Sequence, residues 1–137
     1  IAHSMGAAAT CVSVTRGLDL AAAVFVAPAP SVREAPYRFA RYLHVPRHVM
    51  SKAVRRLELR NAMSFDELQR LVYDGAEQLG PLVFHDERDP DVPMTDGEML
   101  ELLGAEFRST SGLGHRRILR NQNVIEGAVS YLAMSRP

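Results

Sequence analysis

Apolar residues recur along this chain with two different periods, and the periods divide it into elements. The run AAAVFVA at 21–27 is apolar at every position, the pattern of a strand covered on both faces of a parallel sheet. PLVFH at 81–85 has the same character, and a further short strand is expected at 105–108. Elsewhere the spacing is helical. Small, helix-compatible residues fill 6–16, with Gly17 as the stop. Three helices follow in 31–79. Pro36 opens the first, which carries Tyr37, Phe39, Ala40 and Leu43. Pro46 opens the second, with Val49, Met50, Ala53, Val54 and Leu57 on one face. The third starts at Ser64-Phe65-Asp66-Glu67, a capping box, and continues as a stripe of Leu68, Val72 and Leu79. Thr95-Asp96-Gly97-Glu98 repeats the capping-box pattern before a helix ending at Leu103. A last helix is expected at 123–134, burying Val124, Ala128, Tyr131 and Leu132.

Strands that alternate with helices predict an α/β fold whose parallel strands are joined by right-handed crossovers. The segment between the first two expected strands is too long for a simple crossover. The expected organisation is therefore a core of residues 1–30 and 80–137 carrying a helical lid insertion at 31–79.

Composition narrows the class. The chain has 137 residues, 47% apolar and 23% charged, enough for one globular domain. Sixteen basic residues balance sixteen acidic ones, which argues against a dedicated nucleic-acid partner. LDLAAAVFVAPAP is internal, lacks a basic leader and is too short to span a bilayer, so no membrane partner is expected. The single cysteine, Cys11, leaves no internal disulfide, and a cytoplasmic location is the expectation. The chain begins at Ile1, inside a motif, and the expectation is that an N-terminal half of the fold is missing.

That motif is Ala2-His3-Ser4-Met5-Gly6. A strand turning sharply into a helix forces its central residue into a strained backbone, and small residues two positions away on either side relieve the crowding. The serine hydroxyl is then presented at the carboxyl edge of the sheet, beside a helix N-terminus able to stabilise an oxyanion. Serine needs a base, and the base needs an orienting partner. The loop after PLVFH offers Asp86, Asp89 and Asp91; the loop after the last strand offers His115 in GLGH.

Three motifs in this order, Ala2-His3-Ser4-Met5-Gly6, LVFHDERDPDVP and GLGH, resemble the α/β-hydrolase superfamily over most of the chain outside the insertion. The resemblance implies the C-terminal half of that fold. It implies Ser4 as nucleophile, His115 as general base, and Asp89, set by its distance from Val92-Pro93, as the residue orienting His115. Asp86 and Asp91 stand as alternatives. The backbone N–H of Met5 would be one oxyanion donor. Ala2 departs from the more usual glycine, and the loop carrying a second donor would precede Ser4. The activity implied is that of a serine hydrolase on a small carboxylic ester or related acyl substrate, without metal or organic cofactor. A C–C bond hydrolase of the same fold and a non-catalytic chain are the alternatives.

Other candidates have plainer readings. Ser4 can be a helix N-cap, Asp89 a turn cap beside Pro90, and His115 a loop histidine bonded to backbone. His3 and His85 read as packing or pocket-rim residues. His44 and His48 are four apart, but Pro46 breaks the helix that would bring them together on one face. Cys11 reads as a small buried residue. The insertion is rich in arginine, from Arg33 to Arg60, and an acidic stretch follows it. This reads as a solvated surface pairing with acidic neighbours, with steering of an anionic substrate as the sharper alternative.

Overall fold

A computed structural model describes residues 1–135. Four strands, β1 (Ala2–His3), β2 (Val24–Val26), β3 (Leu82–Asp86) and β4 (Glu106–Thr110), form one parallel sheet in the order β1-β2-β3-β4. Phe25 lies beside Ala2 on one side and Val83 on the other; Val83 in turn lies beside Phe107. The helices are α1 (Met5–Thr15), α2 (Ala35–Tyr42), α3 (Arg47–Asn61), α4 (Phe65–Leu79), α5 (Met94–Leu102), α6 (Gly114–Arg117) and α7 (Gln122–Met134).

Side chains alternate between the faces of a strand, so continuous apolar runs serve two cores at once. Phe25 and Val83 join Ala7, Ala8 and Cys11 of α1, Val72 and Ala76 of α4, and Leu100 of α5. Val24, Val26, Leu82 and Phe84 point the other way, toward Ile118 and toward Val124 and Ala128 of α7. Burial of such side chains contributes about 25 cal/mol for each Å² of apolar surface removed from water.

Helix α4 belongs to the first of these cores. It approaches α1 so closely that a Cβ on Gly75 would stand 2.1 Å from the Cys11 carbonyl oxygen. Ala40 of α2 and Val54 of α3 are buried but belong to neither core. Within 31–79, then, the third helix packs as a crossover helix, and the first two pack on each other.

Several local expectations are met and others shift. Pro36 sits in the first turn of α2, and Pro46 precedes α3. Ser64 Oγ accepts the Glu67 N–H at 3.0 Å, while the Phe65 N–H goes to Glu58 of α3 at 2.9 Å. The strand expected at 21–27 contracts to Val24–Val26, because Ala27 takes a left-handed φ of 46°. The last strand extends beyond 105–108 to Thr110, whose pairing with Asp86 continues the ladder. The second capping box is not used as one. Helix α5 starts at Met94, and Asp96 is 3% exposed inside the fold. Its carboxylate accepts two hydrogen bonds from the Arg38 guanidinium, at 2.8 and 2.9 Å, and one from Ser31 Oγ at 2.9 Å. A residue inside the expected capping box thus fastens α2 to α5. Arg33 pairs with Asp66 at 3.1 Å across exposed surface.

The approach of α4 to α1 yields a test in the full natural chain. Gly75→Ala must push the two helices apart and is expected to lower stability by about 3 kcal/mol, the scale of core overpacking. A thermal midpoint equal to that of the unaltered protein would contradict the close approach.

Candidate functional site

Ser4 is the single residue between β1 and α1. Its backbone has φ 54° and ψ −126°, a conformation that costs a non-glycine residue about 1–3 kcal/mol and persists only where its surroundings enforce it. They do so through three backbone hydrogen bonds. Ser4 N–H donates to Val26 O at 3.2 Å, and Ser4 O accepts from Ala7 and Ala29, both at 3.1 Å. A methyl group on Gly6 would lie 3.8 Å from Cβ of Ala2, in ordinary contact. The flanks thus have room for a methyl group and little more. The Ser4 side chain makes no capping hydrogen bond, so the N-cap reading is not fulfilled. Met5 opens α1, and its N–H is among the first-turn donors that a helix cannot satisfy internally.

The three loop aspartates have separate roles in the structure. Asp89 has a fully buried side chain and divides its two oxygens. Oδ1 accepts the N–H groups of Asp91 and Val92, at 2.8 and 2.9 Å. Oδ2 lies 2.7 Å from His115 Nδ1. Asp89 therefore does cap the turn beside Pro90, and with its other oxygen it holds the histidine. In that arrangement Nδ1 carries the proton and donates it, leaving the Nε2 lone pair as a base. Asp86 is buried, and among the described residues its carboxylate makes no hydrogen bond to the His115 ring. Its carboxylate accepts from Thr110 Oγ1 and Leu113 N–H, both at 2.9 Å, and from Arg88 N–H at 3.0 Å. Burial alone would raise the Asp86 carboxyl. Hydrogen bonds from Leu113, Gly114, Thr110 and Arg88 outweigh it and hold the group below the usual carboxylate range. Asp91 is exposed.

Ser4, Met5, Asp89 and His115 all line one cavity of about 910 Å³. Val32, Phe39, Phe65 and Leu68 give it apolar walls. No hydrogen bond joins Ser4 Oγ to His115 Nε2 among the described residues. Such bonds are often loose in ligand-free sites. Cys11 is no competing nucleophile: burial pushes its thiol up to about 12. Asp89, Asp91 and His115 place ligand atoms within 4.8 Å of one another. Two of the atoms on these residues, Asp89 Oδ2 and His115 Nδ1, are already bonded to each other at 2.7 Å.

Two histidines carry more than the sequence assigned them. His3 Nε2 lies 3.0 Å from the His115 carbonyl oxygen, and the two rings stand 4.6 Å apart between centroids. His85 is fully buried rather than at a rim, with Nε2 at 3.1 Å from Val92 O. Neither contact has a local sequence signal, since each partner is fixed only by the folded loops.

No family model matches the chain, and no curated protein matches it by sequence. Among solved structures, it is similar to the Pyrococcus furiosus esterase PF2001, with a TM-score of 0.52 and 16% identity. The likeness covers 97% of this chain and 50% of the esterase, so the chain spans about half the length of that neighbour. It agrees with the α/β fold described above, four parallel strands in one sheet with helices. Among the described residues, no helix is long and apolar enough to cross a membrane.

The Asp86 clasp gives a pH-dependent expectation. A carboxyl held below its unfolded value stabilises the fold above the unfolded pKa of about 4, and that contribution fades as pH falls through the folded value. Asp86→Asn removes the charge that several donors face and is expected to lower stability at pH 7 by about 3 kcal/mol. The gap between mutant and unaltered protein should narrow below about pH 4. Thermal melts across pH 3–8 read this directly; a gap independent of pH would contradict the charged clasp.

Proposed function

We propose that Ser4, His115 and Asp89 are the nucleophile, base and orienting acid of a serine hydrolase acting on a carboxylic ester. The observation that carries the reading is a serine held in a strained turn at a helix N-terminus, unused as a cap, on the same cavity as a bonded His–Asp pair. The half-length likeness to an esterase agrees with it.

The chemistry follows from the geometry. His115 Nε2 takes the proton as Ser4 Oγ attacks the ester carbonyl carbon. Negative charge moves onto the carbonyl oxygen, where the Met5 N–H and the positive end of α1 stabilise it. Collapse breaks the bond to the alcohol oxygen, which leaves with the proton from His115. Water then attacks the acyl group on Ser4, giving its proton to His115. Release of the acid returns that proton to Ser4. Asp89 stays ionised throughout and holds the imidazole in one tautomer. Helices α2 and α3 act as the lid, fastened through Arg38 to Asp96, while α4 stays with the core.

Kinetics on short-chain nitrophenyl esters, in the full natural chain, test these roles. Ser4→Ala is expected to abolish turnover with an unchanged melt, because the hydroxyl makes no cap bond. Asp89→Asn should keep the shape yet lower kcat by up to ~10⁴ through the wrong histidine tautomer. Undiminished turnover in Ser4→Ala would refute the assignment. A large rate loss in a folded Asp86→Asn, with none in Asp89→Asn, would move the acid to Asp86.

A further inference from the structure

His85 is an odd residue to find at the centre of a core. It lies on β3, has no exposed surface, and points to the face where α5 packs. The strand before it, Leu82-Val83-Phe84, is apolar, and Asp86 follows it. One ring nitrogen, Nδ1, is buried without a hydrogen-bond partner among the described residues. Buried polar atoms are nearly always paired, so an orphan of this kind calls for a compensating role elsewhere on the ring. The fold also makes room for it. A Cβ on Gly97 of α5 would stand 2.8 Å from His85 Nδ1 and 3.1 Å from His85 Cβ, so only glycine at that point lets the imidazole lie where it does.

The other nitrogen shows what the ring does. His85 Nε2 is 3.1 Å from the Val92 carbonyl oxygen and 3.8 Å from Asp89 Oδ2. A carbonyl can only accept, so Nε2 carries the proton. Residue 92 is also where the backbone N–H turns back to Asp89 Oδ1, at 2.9 Å. The imidazole thus grips the carbonyl side of the peptide unit that follows Val92. The N–H side of the unit that precedes it grips Asp89. Its N–H edge also lies beside the Asp89 oxygen that receives His115. Holding the turn at this point fixes the direction of the Asp89 carboxylate, and hence the aim of His115.

We infer that His85 is a positioning residue for the Asp89–His115 pair, acting through Nε2–H on the 89–92 turn. The inference rests on the catalytic reading above for its effect on rate, but its structural core is separable from that reading. Because only Nε2 is used, two polar replacements should behave differently. The amide nitrogen of glutamine can take roughly the place of Nε2, whereas that of asparagine falls near the place of Nδ1.

The test compares His85→Gln with His85→Asn in the full natural chain. The first readout is the low-field proton resonance of His115 Nδ1–H in histidine-labelled protein, which reports its bond to Asp89 whether or not the protein turns over ester. The second is the split between kcat and KM on a nitrophenyl ester. H85Q is expected to keep the resonance and a kcat within about threefold of the unaltered protein. H85N is expected to lose or strongly shift the resonance and to lower kcat by up to about 10²-fold, as misplacement of a catalytic group does, with KM little changed. Identical behaviour of the two variants, whether both intact or both damaged, overturns the inference, as does absence of the resonance in the unaltered protein. If the unaltered protein lacks Ser4-dependent turnover, the catalytic reading falls while the resonance comparison still decides the role of His85.

Discussion

A single buried carboxylate, Asp86, joins the two loops on which the candidate site is built. It sits at the end of β3, where the sheet stops, and its oxygens reach forward to Arg88 and across to Thr110 and Leu113. Those contacts fix the start of the loop that carries Asp89 and the turn that leads to His115. Without them, the two loops would be joined mainly by the backbone bond from Glu87 N–H to Thr110 O, 2.8 Å, at their base and by the Asp89–His115 bond. Those bonds would then have to offset more of the conformational entropy lost in ordering both loops. With Asp86 in place that entropy is already lost in the fold, and the 2.7 Å contact forms between groups that are held ready for it.

Strain enters at the opposite side of the same cavity. Ser4 keeps its unfavourable backbone because β1 pairs with β2 on one flank and α1 packs into the sheet core on the other. The strained residue is therefore enforced by the most regular part of the structure. Helix α4, by approaching α1 at Gly75, adds to that enforcement from behind. The parts free to differ are α2 and α3, whose buried residues belong to neither core and whose Phe39 and Tyr42 remain largely exposed.

The order of strands and helices was legible because burial on both faces of a parallel sheet leaves continuous apolar runs such as VFV and LVF. Ser4, Asp89 and His115 could be singled out because their surroundings are local: small flanks, a fixed distance to Val92-Pro93, and a glycine-rich turn. All three line one cavity. What sequence could not supply depends on contacts between distant segments. Asp96 has no assigned partner in the sequence until Arg38, 58 residues earlier, is brought against it. His3 meets the backbone of His115 across 112 residues. The role of His85 depends on a hole left by Gly97, which no periodicity reveals. Helix α4 falls within the long segment between the first two expected strands, and the close approach of Gly75 to Cys11 shows which surface its stripe covers.

The central claim is that the strained serine is chemically activated by the His–Asp pair across the cavity. The most direct measurement is the intact mass of the full natural protein after exposure to an alkyl fluorophosphonate, followed by peptide mapping of the adduct. The account predicts one added phosphonyl group, located on Ser4, forming rapidly near neutral pH and slowed strongly when His115 is replaced by alanine. An unlabelled protein, or an adduct on another residue with Ser4 unmodified, would contradict it.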